Sequence, residues 1–237
     1  MAPRPDRKIP AGPEIGVVNA LAVYGANMGT LLEIEATAVP VEPGRGIYNI
    51  TGVVDEEEIG GGSRTLRRKS MAKGSVENVL TVLKRIGLDP SGYDLHINFP
   101  GGTPIDGPSA GLAIATAIAS AIKRMPVDHR IAMTGELGIY GKVKPVGGVV
   151  AKVEAAFQAG AKTVLIPKDN WQTLFEGLDG LRVIPVESVS EVFRHVFGPE
   201  AENNFGLAPD EELFAPTPSS APTSFLHAES PSSNNVM

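Results

Sequence analysis

The chain passes through Tyr93-Asp-Leu-His-Ile-Asn-Phe-Pro100-Gly-Gly-Thr-Pro-Ile-Asp-Gly-Pro-Ser109-Ala-Gly-Leu-Ala-Ile-Ala-Thr, and the fold reads outward from this stretch. Apolar and polar residues alternate over Tyr93–Phe99, which predicts a half-buried strand. A Gly/Pro-rich loop follows, and the Ala/Ile-rich run predicts a helix over Ser109–Arg124, closed before Pro126. Upstream, the pattern predicts strands at Gly16–Tyr24, Leu31–Val39 and Ile47–Val54 and a helix at Met71–Ile86. Downstream it predicts strands at Arg130–Gly135, Thr163–Ile166 and Arg182–Val186 and helices at Val149–Ala159, Asp169–Phe175 and Ser188–Phe197. Strands come first in antiparallel-looking succession and later alternate with helices, so the fold class is α+β, not a doubly wound sheet. Residues 1–13 hold four prolines and mixed charge and read as a linker arriving from a missing upstream partner. The domain is expected over residues 14–198. From 199 to 237 Pro, Ser and Asn displace aliphatic residues, which predicts a disordered tail.

Composition narrows the function classes. A net charge of -6 gives no broad basic field, so neither nucleic acid nor an anionic membrane is an expected partner. The chain has no cysteine, which removes disulfides and thiolate catalysis. No stretch approaches the ~20 apolar residues of a membrane span, and the opening residues lack a signal-peptide core, so a cytoplasmic location is expected. His96, His129, His195 and His227 show no ligand spacing, so no metal site is expected. Asp55–Glu58 followed by Gly60–Gly62 reads as a solvated, flexible turn, and no Gly-Lys-Ser/Thr follows at the spacing of a phosphate-binding loop.

Two segments can carry chemistry. In the first, Asp106 is placed to cap the helix, Pro108 fits its first turn, and Ser109 falls beside the exposed amides of that turn. Those amides and the positive helix end suit an oxyanion formed where Ser109 attacks a carbonyl. The same residue types also make an ordinary helix start. In the second, Gly147-Gly-Val-Val-Ala-Lys152-Val-Glu-Ala-Ala, Lys152 lies about 200° around the helix from Glu154, on the side of Ala155, Ala156 and Ala159. Apolar surroundings and the adverse dipole of a first turn both favour a neutral amine, which a general base needs. A lysine that snorkels to water along small alanines is the other reading of that position.

Together the segments resemble the proteolytic domain of Lon-type proteases. Thr103-Pro-Ile-Asp-Gly-Pro-Ser109-Ala-Gly is similar to that family's nucleophile motif. Thr134-Gly-Glu and Gly141-Lys-Val-Lys-Pro-Val-Gly-Gly-Val-Val-Ala-Lys152 are similar to its lysine motif, and the spacing of Ser109 and Lys152 matches. The wording Val-Val-Ala-Lys resembles the LonB branch. The resemblance covers Ile15 to Phe197. It implies a ribosomal protein S5 domain 2-like α+β fold and a Ser-Lys dyad of Ser109 and Lys152. Thr134 would hold the lysine amine in line, and Asp106 would shape the loop, bond the lysine or cap the helix. Glu35 and His96 match polar positions near the family's cleft. The backbone amides of Gly107 and Ser109 are the expected oxyanion donors, since Pro108 has none. Further implications are an unfolded polypeptide substrate, a homohexameric ring, and an AAA+ ATPase module. ATP and Mg would act only through that module, with no cofactor in this chain. The alternative is a ring-forming assembly or substrate-binding module without productive catalysis. A module of this kind that has lost its serine is a third possibility, which Ser109 opposes.

Overall fold

The computed structural model describes residue 9 and residues 12–24, 28–52, 56–59, 66–69, 71–100 and 107–207. Its first half runs β1 (Pro13–Ile15), β2 (Val17–Tyr24), β3 (Met28–Pro40), β4 (Tyr48–Thr51), β5 (Glu56–Ile59), β6 (Leu66–Lys69), α1 (Met71–Arg85) and β7 (Tyr93–Asn98). The second half runs α2 (Gly111–Lys123), β8 (Pro126–Asp128), β9 (Ile131–Met133), β10 (Glu136–Leu137), β11 (Val143–Lys144), α3 (Val149–Ala159), β12 (Thr163–Pro167), β13 (Arg182–Val186), α4 (Val189–Phe197) and α5 (Glu200–Phe205).

Period-two alternation along β3 explains the layering. Leu32, Ile34 and Ala36 enter one core and Leu31 enters another, because successive strand side chains leave by opposite faces. The seven-stranded sheet has the order β13-β12-β9-β2-β3-β7-β4. β2 pairs antiparallel with β3 and parallel with β9, and β7 pairs antiparallel with β3 and parallel with the edge strand β4, so the sheet is mixed. This mixed sheet bears out the α+β expectation.

The larger core holds α1, α2, α4 and α5, and the smaller holds α3 with Phe175 and Leu181. Every residue of α2 from Gly111 to Ile122 is buried, as expected of a helix that is apolar all round. Ile114 and Ile118 are fully covered, and burial of such a side chain stabilises by about 1.5–3 kcal/mol.

Several expectations are corrected. Ser109 is not in the helix but in a 3-10 turn, Gly107–Ala110, and α2 begins after it with Ala110 as N-cap and no side-chain cap bond. Asp106, the expected cap, lies outside the described residues. The segment read as a helix over Asp169–Phe175 is two 3-10 turns, Lys168–Asn170 and Thr173–Phe175, separated by extended Trp171. The Asn170 side chain holds that bend by accepting from Val146 N and donating to Val146 O. The acidic run read as a flexible turn enters β5, which pairs antiparallel with β6 and sets Glu56, Glu57 and Glu58 in register with Lys69, Arg68 and Arg67.

Packed chain also continues past residue 198. In α5, Phe205 is buried with ring centroids 4.8 Å from Phe193 and 5.0 Å from Phe197. At the other end, Ile9 N donates to Ala159 O and its side chain packs on the smaller core. Residues 1–8, 10, 11 and 208–237 of the expected linker and tail lie outside the described residues. Among the described residues, no helix is long and apolar enough to cross a membrane.

Candidate active site

Three segments from different parts of the chain converge at Ser109. The turn that carries it is clamped to the stretch after β9 by a reciprocal backbone pair. Gly135 N donates to Ser109 O at 2.9 Å, and Leu112 N donates to Gly135 O at 3.2 Å. The approach is so close that a Cβ on Gly111 would stand 2.7 Å from Leu137 N. Ser109 is 2% exposed.

Thr134 follows β9 and is fully buried. Its amide donates to Leu165 O, which holds it at the end of the β9–β12 pairing. Its hydroxyl lies 3.2 Å from Ser109 O and 3.4 Å from Leu21 O. A hydroxyl has one proton, so it donates to one carbonyl at a time while its oxygen stays able to accept. The donor it accepts from is Lys152 Nζ, at 3.2 Å. Thr134 therefore links the main chain of Ser109 to the amine of Lys152.

Lys152 is 0% exposed, on the buried side of α3 with Val149, Val153, Ala156 and Ala159. Of the two readings of this position, the structure excludes the snorkelling one. Two glycines let α3 lie on the sheet with its amine aimed inward. A Cβ on Gly29 of β3 would stand 2.0 Å from Ala151 O, and one on Gly148, the N-cap with φ +64°, would stand 2.6 Å from Val23 Cγ1. Gly148 was visible within the lysine motif, but only the packing shows what it is for. Nothing in the sequence singled out Gly29.

Glu35 and His96 are not drawn into this group by their hydrogen bonds. Both belong to a row on β3, β7 and β4 that includes Asn98 and Thr51, two residues the sequence reading passed over. Neither has a motif signal, and only strand register brings them together.

The buried serine, threonine and lysine, on segments in the expected order, point to one family, and comparison with known proteins agrees. Residues 6–198 match the family model described as the Lon protease (S16) C-terminal proteolytic domain. The chain belongs to the Lon proteolytic-domain family. It is 53% identical over 196 residues to Lon protease 2 of Bacillus subtilis, covering 83% of this chain and 35% of that protein. It is 39% identical over 211 residues to the archaeal Lon protease of Archaeoglobus fulgidus, covering 86% and 32% respectively. With Lon protease 1 of Thermus thermophilus the identity is 44% over 206 residues, covering 81% and 23%. The archaeal relatives agree with the LonB-like wording of the lysine motif. The chain thus spans about a third or less of the length of these curated Lon relatives.

Proposed function

We propose that this chain is the peptidase part of a Lon-type protease, a serine endopeptidase in which Ser109 is the nucleophile and Lys152 the general base. The observation that carries the reading is a lysine amine with no solvent exposure, bonded to the hydroxyl that also contacts the Ser109 carbonyl. Burial and the positive end of α3 both favour the neutral amine, the form able to take a proton. In the first step Lys152 accepts the hydroxyl proton as Ser109 Oγ bonds to the scissile carbonyl carbon. The tetrahedral oxyanion is met by the backbone amides of Gly107 and Ser109. Collapse breaks the C–N bond, and the proton passes from Lys152 to the leaving amine. Water, deprotonated by Lys152, then releases the acyl group and restores Ser109. Thr134 keeps the amine aimed, with Asp106 as the second supporting residue.

The serine and lysine supply nucleophile and base, so the chain requires no cofactor of its own. ATP and Mg act through an AAA+ ATPase module that joins it in cis or trans. The substrate is unfolded polypeptide, delivered into a homohexameric ring of S5-like domains in the cytoplasm. Nucleic acid and membrane are not partners of this segment.

Mass spectrometry after treatment with a peptide boronate tests the central claim. The expected result is one adduct on Ser109 and loss of both adduct and cleavage in Ser109→Ala. Cleavage of an unstructured polypeptide by Ser109→Ala at the parent rate would sink the assignment. A folded parent that forms no adduct would favour the assembly or substrate-binding alternative.

A further inference from the structure

A row of hydrogen bonds crosses three strands on the sheet face opposite the larger core. β7 lies between β3 and β4, and its last residue, Asn98, is in register with Glu35 on one side and Thr51 on the other. Asn98 Nδ2 donates to Glu35 Oε2 at 2.8 Å, and Thr51 Oγ1 donates to Asn98 Oδ1 at 2.8 Å. Having spent its proton there, Thr51 Oγ1 can only accept from His96 Nε2, 3.0 Å away, so that ring nitrogen carries the hydrogen. A carboxylate has nothing to donate, so the Asn98 amide can face Glu35 only through nitrogen. All three bonds therefore have one allowed direction.

The backbone is anchored at the same place. Phe99 N donates to Thr51 O at 3.0 Å, and Gly52, with φ +80°, lies so close that a Cβ there would stand 2.1 Å from Phe99 O. Phe99 itself is 2% exposed. In sequence this anchored end precedes the Ser109 turn.

We propose that Asn98 is a positioning residue for the Ser109 site. Clamped by Glu35 and Thr51, it fixes where β7 ends and so where the chain sets out toward Ser109. The proposal rests on the peptidase reading above. Thr51 and His96 are exposed and Glu35 and Asn98 half-buried. Water can replace part of what such exposed groups lose, so the row adds little to stability. The cost of breaking the row therefore falls on geometry, where a displacement of about 1 Å can lower a rate a hundredfold.

The test compares Asn98→Ala, Glu35→Ala and Glu35→Gln in the full chain by cleavage kinetics, boronate adduct formation and amide hydrogen exchange. Asn98→Ala and Glu35→Ala are expected to lower kcat and the adduct rate about tenfold or more, with KM within about twofold. Exchange at residues 107–112 is expected to quicken in both, with little change in melting temperature. Glu35→Gln keeps an oxygen that accepts from Asn98 Nδ2, so it is expected to retain most of the parent kcat. Unchanged kcat in Asn98→Ala, a loss confined to KM, or a Glu35→Gln as poor as Glu35→Ala would overturn the proposal. Exchange is read without catalysis. A parent that neither cleaves nor forms the adduct refutes the peptidase reading, whereas unchanged exchange at residues 107–112 in Asn98→Ala refutes the positioning role.

Discussion

Replacing Lys152 by methionine keeps most of the side-chain volume and removes an amine that is fully buried. Burying such a group costs stability unless its bonds repay the lost hydration. Lys152→Met is therefore expected to abolish cleavage yet melt no lower than the parent. A gain of roughly 1 kcal/mol would appear as a rise of about 2–4 °C, and a clear drop in melting temperature would refute the argument. Lys152→Arg retains charge but cannot become a neutral base, so it too is expected to be inactive, and single-turnover activity near that of the parent would remove Lys152 from its role.

Asp128 provides a pH effect on stability, remote from catalysis. The hydrogen bond from the Arg130 guanidinium holds its carboxyl below the ordinary carboxylate range. A group with a depressed folded-state pKa stabilises above its unfolded value, and that contribution is lost as pH falls through the folded value. The pair is partly exposed, so its worth is under about 1 kcal/mol. Asp128→Asn is accordingly expected to destabilise slightly at neutral pH and to match the parent in strong acid, as denaturant melts at the two pH values would show.

At the scale of elements, α3 owes its aim to Gly29. Gly29→Ala would set a methyl against Ala151 O, and overpacking of this kind costs about 1–3 kcal/mol. The displaced helix carries Lys152, so activity is expected to fall further than stability. Gly147→Ala is the control, because a Cβ there meets nothing within 4 Å. Equal activity of the two variants would show that helix seating is not limiting. The C-terminal helix makes a second case. Removal of the chain from Glu200 onward takes Phe205 from its place against Phe193 and Phe197 and is expected to cost about 3–5 kcal/mol. Truncation after Leu207 is expected to leave the melting temperature unchanged, and melts of the two truncations decide the point.

These elements also show where the sequence was legible. Strands of eight or more residues, such as the apolar run of β2 and the alternating β3, and the long helices α1 and α3 were found near their observed bounds. The pairs β1–β8 and β10–β11 were missed because strands of two or three residues carry no period and exist only through partners elsewhere. The turn holding Ser109 was read as helix because Gly, Pro and Ser suit either state. Ser109 and Lys152 were legible through their motifs, with Thr134 beside them. The row from His96 to Glu35 was not, since it arises from register across three strands.

For the whole molecule, association into a ring is the expected state, and light scattering at rising protein concentration is expected to show mass growing toward six copies. A monomer at every concentration and salt level would count against the ring. The central place of β2 has a further consequence for how the molecule comes into being. Leu21 and Thr134, whose contact helps close the site, are 113 residues apart in the chain. Contacts of such long range are entropically expensive to form and slow to appear. On a ribosome, β2 and β3 emerge before β9 and wait for it, and Lys152 follows later still. The proposed dyad therefore cannot assemble in a nascent copy until the chain has passed residue 152, and until then the copy is spared its own activity.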